Sequence, residues 1–352
     1  MSTLSSGPAE RQGLSRLAAR LGCVFEGYDE FDMTVSGDVT LHGRHAQRDP
    51  ARAVVLLHGH PRTHATWWLL APILVDAGLS VVCPDLRGYG RSTGPEPDPG
   101  HESYSDRAMG EDIVTLMSTL GYRRWAAVGH DRGQGVAFRL AMDAPAQVSA
   151  LVVLDGVPIV EALERADARF AELWWHWFFY ASPQAERVIT ADPLAWYQPD
   201  PLAMGQENYD DLVSAINNPS TVRAMLEDYR AGLHVDRRQV EQDRSAGKQV
   251  ACPTLVGWTV HDDMELLYGD PTTIWRPWCS LPIQSARLDS GHHVAEENPI
   301  QLAQTILEFL SSADTRSRVS QEPSVAPVPS CEHSTDGSAT RHRSSDKSPT
   351  DK

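Results

Sequence analysis

The run from Ala127 to Gly135 has the pattern of a strand, a tight turn and the start of a helix, with Asp131 at the turn. In a Gly-x-nucleophile-x-Gly turn the backbone is pinched, so glycine is needed two residues before and two residues after the central position. Gly129 and Gly133 occupy those positions. The central side chain of such a turn projects above the sheet edge at a helix N-terminus. The run therefore predicts a sheet whose strands lead directly into helices.

The carboxylate at this turn restricts the chemistry. A serine hydroxyl that attacked an alkyl carbon would leave a stable ether, whereas a carboxylate leaves an ester whose carbonyl group water can still cleave. Asp131 therefore predicts attack at saturated carbon and not acyl transfer.

Strand-like apolar runs alternate with helical patterns along the chain. Apolar residues recur at helical spacing within 109–120 and again within 302–310. The alternation predicts the α/β class, with a mostly parallel central sheet flanked by helices. The apolar runs that suit a sheet covered on both faces are 53–57, 80–83, 125–128, 151–154 and 254–256.

The middle of the chain has a different pattern. From 158 to 247, aromatic-rich helical stretches are interrupted by prolines, which predicts an inserted helical cap over the carboxyl edge of the sheet. The core then consists of 24–157 and 248–313. We expect 1–23 to be poorly ordered or a short helix, and the Ser-, Thr- and Pro-rich stretch 314–352 to be a disordered tail.

Charge and cysteine content exclude several classes of partner. The chain has 47 acidic and 31 basic residues, so nucleic acid is not an expected partner. Five scattered cysteines without metal-ligand spacing, and an N-terminus without an apolar signal core, favour a reducing cytoplasmic location. No apolar segment approaches the roughly 20 residues that span a bilayer. The expected partners are a small-molecule substrate and water, and homodimerisation is left open.

A histidine near the end of the core is the candidate base. Gly291-His292-His293 follows a last strand-like run at 283–288, where loops reach the same sheet edge as Asp131. We assign His292 as the base that activates water and regard His293 as its structural neighbour. The chain order of nucleophile, acid and histidine supports this assignment.

Two positions compete for the acid that orients this histidine. Asp155 ends the apolar run 151–154, and the pair Asp262-Asp263 follows the later run 254–256. Both lie at strand ends, where loop residues are suited to a site. The residues alone do not decide between them.

The segment Leu57-His58-Gly59-His60-Pro61 lies directly after the first apolar run. The backbone N–H groups of His60 and Arg132 are suited to stabilise the tetrahedral centre formed when water attacks an ester of Asp131. A plain glycine-proline turn is the alternative interpretation. The guanidinium of Arg132 is also suited to lower the pKa of the neighbouring carboxylate and to bind a substrate carboxylate in fork geometry.

Taken together, these features resemble the α/β-hydrolase fold and, within it, the fluoroacetate (haloacetate) dehalogenases. The resemblance implies that Asp131 is the nucleophile, Asp155 the orienting acid and His292 the base. The residues that carry it are Gly129-His130-Asp131-Arg132-Gly133, Val153-Leu154-Asp155, Trp175-His176-Trp177, Glu227-Asp228-Tyr229-Arg230-Ala231-Gly232 and Ser290-Gly291-His292.

The resemblance also implies a halide pocket formed by His176, Trp177 and Tyr229. This is chemically sensible because imidazole, indole N–H and phenol O–H are all hydrogen-bond donors. The chemistry requires no cofactor and no metal. For the other aromatic residues of the cap, ordinary packing is the simpler interpretation.

One position departs from the family pattern. The family has a second arginine three residues after the first, where it grips the substrate carboxylate, and this chain has Gly135 there. Losing one charge-assisted contact weakens binding of a small haloacid unless another group such as Gln134 compensates. Space opened by glycine would suit a larger or uncharged substrate. The segment His261-Asp262-Asp263 is also unusual and offers a substitute acid.

The leading hypothesis is therefore a hydrolase that displaces halide from a small halogenated acid or related compound through an ester of Asp131. The second is an epoxide hydrolase with the same residues, a His-Gly-x-Pro loop at 58–61, and Tyr229 or Tyr180 as the acid that opens the ring. The third is a ligand-binding homologue that keeps the scaffold without turnover.

Overall fold

A computed structural model describes residues 25–319 of the chain. Its centre is one sheet, in which the strands follow the spatial order β1-β2-β4-β3-β5-β6-β7-β8. The pairs from β4 and β3 through to β8 are parallel, and β1 and β2 add an antiparallel edge. The strands are β1 (Asp29–Ser36), β2 (Val39–Ala46), β3 (Asp49–Leu57), β4 (Leu79–Pro84), β5 (Trp125–His130), β6 (Val148–Leu154), β7 (Thr254–Thr259) and β8 (Gln284–Leu288).

The predicted α/β class is confirmed. Side chains of the central strands are buried alternately on the two faces of the sheet. In β3, Val55 and Leu57 belong to one buried apolar cluster, whereas Val54 and Leu56 belong to a second. Successive side chains of a strand point to opposite faces, so the two clusters lie on the two faces of the sheet. A strand buried on both faces is apolar throughout, as the sequence pattern indicates.

The antiparallel edge is the part of the sheet that the apolar runs do not reveal. In β1 the charged and hydroxyl side chains are exposed, while Phe31, Met33 and Val35 alternate with them and pack against the core. This is the period-two pattern of a half-buried strand. A search for continuous apolar runs does not detect it.

Helices cover both faces of the sheet. In the predicted core they are α1 (Leu70–Asp76), α2 (Asp106–Thr119), α3 (Arg132–Asp143), and, after β7, α13 (Met264–Tyr268), α14 (Thr272–Trp275), α15 (Val294–Glu297) and α16 (Pro299–Val319). Short 3₁₀ turns lie at His64–Trp67, Glu102–Tyr104 and Arg276–Trp278.

Between β6 and β7 the chain is helical. The helices are α4 (Ile159–Glu164), α5 (Ala168–Leu173), α6 (His176–Ala181), α7 (Pro183–Ala191), α8 (Pro193–Tyr197), α9 (Pro201–Met204), α10 (Gln206–Ile216), α11 (Pro219–Ala231) and α12 (Arg237–Ser245), with a π-helical turn at Gly232–Asp236. Several of them begin with proline, whose fixed φ suits the first helical position and whose missing N–H costs nothing there.

The limits of the described residues concern the predicted end of the core and the predictions for the two terminal segments. Helix α16 continues to Val319, so the predicted end of the core at 313 falls within a helix. The predictions for 1–23 and for the tail beyond 319 lie outside the described residues. Within residues 25–319, no helix combines the length and apolarity that crossing a bilayer requires.

Candidate active site

Asp131 lies at the sharp turn between β5 and α3, with φ 51° and ψ −121°. A non-glycine residue with positive φ costs about 1–3 kcal/mol and persists where the surrounding structure imposes it. The close packing of the two flanking glycines imposes it here. A Cβ on Gly129 would lie 2.2 Å from the carbonyl oxygen of Gly133, and one on Gly133 would lie 2.3 Å from that of Leu57.

Backbone amides hold the Asp131 carboxylate in place. The N–H of His60 donates to Asp131 Oδ1 at 2.7 Å, and the N–H of Arg132 also hydrogen-bonds the carboxylate. Gly59 allows this approach, because a Cβ there would lie 2.3 Å from Oδ1. The structure therefore brings both predicted backbone donors, the N–H groups of His60 and Arg132, to the Asp131 carboxylate.

The charge state of Asp131 follows from its surroundings. Burial opposes ionisation, but the nearby His292 and His130 and the two amide hydrogen bonds outweigh it and lower the pKa of Asp131 below its ordinary value. The group is therefore an anion at neutral pH. An anionic carboxylate is the form that can act as a nucleophile.

His292 bridges the nucleophile and an acid. Its Nε2 lies 3.8 Å from Asp131 Oδ2, and its Nδ1 lies 2.7 Å from Asp262 Oδ2. Burial disfavours the charged imidazole, but Asp262, Asp131 and Asp155 together raise the pKa of His292 to about 10. Its neighbour His293 is different, because burial lowers the pKa of that imidazole well below its ordinary value.

The acid hydrogen-bonded to His292 in the structure is Asp262, and not Asp155, to which the resemblance assigns the orienting role. Asp155 instead accepts hydrogen bonds from the Thr259 backbone N–H at 2.8 Å and the Thr259 hydroxyl at 3.0 Å. Its own N–H donates to the carbonyl of Gly257 at 3.1 Å. Asp155 is thus tied to the end of β7, although it remains close enough to act on His292 electrostatically.

Asp262 reaches the histidine because the loop after β7 runs beside the loop after β8. The N–H of Val260 donates to the carbonyl of Leu288 at 3.0 Å, and that of His261 donates to Ser290 at 3.1 Å. These bonds extend the parallel pairing of the two strands into their loops. The next residue, Asp262, then lies against His292.

A pair of matched substitutions tests this assignment. Asp262→Asn is expected to lower kcat by about 10²- to 10⁴-fold, because the amide no longer holds the productive imidazole tautomer or its charge. Asp155→Asn keeps an acceptor for the Thr259 N–H, so we expect a loss below about tenfold. The imidazole pKa of His292, measured by NMR, should fall most in Asp262→Asn. A larger loss and a larger pKa change in Asp155→Asn would restore the original assignment.

The cap places an aromatic cluster above Asp131. Tyr229 is fully buried, and its ring centroid lies 6.4 Å from those of both His176 and Trp177, the three predicted halide ligands. Burial lowers the pKa of His176 to about 4, so this imidazole is neutral. The Asp131 charge acts on both His176 and Tyr229, and the Tyr229 ring centroid lies 5.1 Å from that of His60, whose backbone N–H donates to Asp131.

Two further tyrosines belong to this cluster. The Tyr180 ring centroid lies 4.8 Å from that of Tyr229 and 4.9 Å from that of His60. The Tyr197 ring centroid lies 5.4 Å from that of His60. Sequence reasoning missed Tyr197 and the His60 ring. The abundance of aromatic residues in the cap indicates such a cluster but does not identify these two members.

The Arg132 guanidinium, which was predicted to bind a substrate carboxylate, is hydrogen-bonded to Asp228 in the structure. Its Nε donates to Asp228 Oδ1 at 3.1 Å, and its Nη2 donates to the same carboxylate and to the Asp228 carbonyl. The predicted open space at Gly135 is also absent. A Cβ on Gly135 would lie 2.5 Å from a carboxylate oxygen of Asp106. Gln134, the proposed substitute, lies against Gly156.

Two groups of described residues have a spacing that a metal ion could bridge. The ligand atoms of His130, Asp155 and His292 lie within 4.8 Å of one another, as do those of His42, His64 and Asp85. In the second group, His64 Nδ1 is bonded to Asp85 at 2.8 Å. In the first, His292 Nδ1 is bonded to Asp262 Oδ2 at 2.7 Å.

Comparisons with known proteins agree with this fold. The alpha/beta hydrolase fold family matches residues 52–269. A fluoroacetate dehalogenase of Burkholderia sp. is 36% identical over 308 residues, covering 85% of this chain and 98% of that protein. A soluble epoxide hydrolase of Corynebacterium sp. (strain C12) is 28% identical over 270 residues, covering 73% of this chain and 90% of that protein.

A solved structure agrees as well. ALR0039 of Nostoc sp. PCC 7120 superposes with a TM-score of 0.77 at 33% identity, covering 82% of this chain and 99% of that one. The protein belongs to the α/β-hydrolase family, and it is a hydrolase. The resemblance to fluoroacetate dehalogenases is thereby confirmed.

Proposed function

We propose that the protein displaces halide from small α-halogenated compounds through a covalent ester on Asp131. The observation that carries this proposal is the position of the Asp131 carboxylate. Oδ1 is held by the His60 N–H at 2.7 Å, and Oδ2 lies 3.8 Å from the His292 imidazole. A carboxylate held in this way is suited to displacement at saturated carbon, and the ester it forms is within reach of a base.

The first step is a displacement. Oδ2 of Asp131 donates an electron pair to the substrate carbon, a C–O bond forms, and the carbon–halogen bond breaks with its electrons leaving on the halide. His176, Trp177 and Tyr229 supply N–H and O–H donors in the cap. Each hydrogen bond to a charged group contributes about 1.5–3 kcal/mol, which favours departure of even a poor leaving group such as fluoride.

The second step is hydrolysis of the ester. His292 takes a proton from water, and the oxygen of that water attacks the carbonyl carbon of the Asp131 ester. The N–H groups of His60 and Arg132 are placed to stabilise the oxyanion that forms, and one such donor is typically worth about 3–4 kcal/mol. The tetrahedral centre then collapses, the alcohol product takes a proton, and the Asp131 carboxylate is regenerated.

Esterification also prepares the base. In the resting site, Asp131 is one of the anions that raise the pKa of His292 to about 10, so the imidazole is protonated. The ester carries no charge, and its formation lowers the pKa of His292. The imidazole therefore becomes able to accept a proton once there is an ester to hydrolyse.

Single-turnover reaction in heavy-oxygen water tests the ester route. With enzyme in excess over a haloacid or haloamide, the first product should contain ordinary oxygen from Asp131, and the heavy isotope should enter the Asp131 carboxylate. Peptide mass spectrometry locates the label, and halide release measures turnover. Heavy oxygen in the first product, with none in Asp131, would contradict the proposal.

Epoxide hydrolysis is the second candidate, and the tyrosine pair favours it. Tyr180 and Tyr229 have ring centroids 4.8 Å apart, and the Asp131 charge acts on both phenols. Burial raises the pKa of Tyr180 to about 12, so its phenol keeps the proton that an opening epoxide ring needs. Measuring diol from a styrene-type epoxide beside halide from haloacids and haloamides distinguishes the two reactions.

A further inference from the structure

The surroundings of Arg132 and Gly135 are rich in acidic side chains. The Arg132 side chain is 9% exposed and pairs with Asp228, whose side chain is 2% exposed. The Tyr229 ring lies against the guanidinium, with Arg132 Cζ 5.0 Å from the ring centroid. The cation that could meet a substrate carboxylate is thus held by an internal carboxylate.

Two more carboxylates surround the same guanidinium. Asp106 occupies the space beside Gly135, and its backbone N–H donates to Asp236 Oδ1 at 3.0 Å. Burial and the Asp228 charge raise the pKa of Asp106, and burial with the Asp106 charge raises that of Asp236, although Arg132 opposes both shifts. Raised pKa values favour the uncharged forms of Asp106 and Asp236, so the Asp228 carboxylate is the group that neutralises Arg132, and this end of α3 has no surplus of positive charge.

The groups on the other sides of Asp131 do not supply that charge. Burial lowers the pKa of His60 to about 3 and that of His176 to about 4, so both rings are neutral. His292 lies between the Asp131 and Asp262 carboxylates. In the neighbouring loop, Arg62 is bonded to Glu296 through two hydrogen bonds.

We infer that the natural substrate is an uncharged electrophile, such as an α-haloamide, rather than a haloacid. The inference rests on the proposed function and specifies its substrate class. A haloacetate would bring a second anion next to Asp131, where the guanidinium that would offset it is already paired with Asp228. An uncharged carbonyl compound of the same size meets neutral aromatic donors and avoids this repulsion.

Chloroacetamide and chloroacetate form the test pair, because they differ in charge at nearly constant size. Formation of glycolamide and of glycolate is measured under multiple turnover. Each kcat/KM is then divided by the second-order rate constant for displacement of chloride from the same compound by acetate ion in water. This ratio removes their different intrinsic reactivities. We expect the corrected value for chloroacetamide to be higher by at least about tenfold.

The outcomes separate the two proposals. An equal or higher corrected value for chloroacetate, with Asp131 labelled as expected, would overturn the uncharged-substrate inference and leave the ester mechanism intact. Absence of glycolamide, glycolate and Asp131 labelling in a folded protein would overturn the proposed function, and the inference with it. Counting product over many turnovers also excludes simple alkylation of cysteines by chloroacetamide.

A double substitution tests the cause. Asp106→Ala with Gly135→Arg removes the carboxylate that fills the space beside Gly135 and adds a second arginine there. We expect the chloroacetate to chloroacetamide ratio of kcat/KM to rise by at least about tenfold. Asp106→Ala alone is the matched control. An unchanged ratio in a double variant with native-like thermal melting would contradict the charge argument, and the wild-type comparison remains decisive if that variant does not fold.

Discussion

Asp131→Asn is expected to lower kcat for halide release by more than about 10⁴-fold. Asparagine has nearly the same shape, and its side-chain oxygen can still accept the hydrogen bond that His60 N–H donates to Oδ1. The amide is nevertheless not an anionic nucleophile, so no ester forms. Halide release measures the loss of turnover, and the intact mass of the protein during a single turnover measures the loss of ester formation.

The control for this substitution is Asp38→Asn, which makes the same chemical change at an exposed turn between β1 and β2. It should leave both halide release and ester formation at wild-type levels. Halide release by Asp131→Asn near the wild-type rate would refute ester formation. Such a result would mean that His292 activates water for direct attack on the substrate.

The size of this effect follows from how the turn is built. The positive φ of Asp131 and the close approach of Gly59 bring the carboxylate to amides whose positions do not depend on any side chain. These groups remain in place when the nucleophile is removed. They stabilise charge that develops on the ester, and without an ester they have nothing to act on.

Much of this site could be predicted because it depends on local rules. The glycine spacing around Asp131 determines the turn, and the turn determines that the next N–H faces the carboxylate. His60 follows the neighbouring strand β3, and carboxyl ends of parallel strands meet at one edge. The antiparallel edge was missed because β1 is half exposed and its apolar residues alternate with polar ones.

The choice of acid could not be predicted for a geometric reason. The strands β6 and β7 are neighbours, so aspartates beyond both of them arrive near the same histidine. Which one binds His292 depends on how far each loop extends past its strand. The hydrogen bonds that hold the β7 loop beside the β8 loop, and the bonds that tie Asp155 to Thr259, arise from tertiary contacts.

The surroundings of Gly135 could not be predicted from the sequence either. Glycine in place of a large residue suggests empty space, but the carboxylate of Asp106 on α2 lies where a side chain would begin. This contact joins residues of two different helices, and no local pattern encodes it. Glycine at this position therefore does not enlarge the site.

His292→Gln is expected to trap the ester, with kcat lowered by about 10⁴-fold while the first displacement continues. Glutamine cannot take a proton from water, but Asp131 remains an anion that can attack the substrate. Mass spectrometry should show one alkyl group per chain, located on Asp131, and a halide burst of one equivalent. The matched control is His293→Gln, which should turn over continuously. A trapped ester in His293→Gln, with normal turnover in His292→Gln, would reverse the assignment of the base.

In the unmodified protein, displacement and ester hydrolysis should depend differently on pH, because the first needs ionised Asp131 and the second needs neutral His292. Displacement needs ionised Asp131, whose pKa is lowered, so the burst rate should stay constant as the pH falls toward 5. Ester hydrolysis needs neutral His292, which the Asp262 and Asp131 charges hold protonated up to a pKa of about 10 in the resting site. Esterification removes the Asp131 charge and lowers that pKa, but Asp262 still opposes deprotonation. The hydrolysis rate should therefore rise with pH across the neutral range while the displacement rate does not, as rapid-quench kinetics can measure. Equal pH profiles for both steps would mean that His292 does not act as the base in the second.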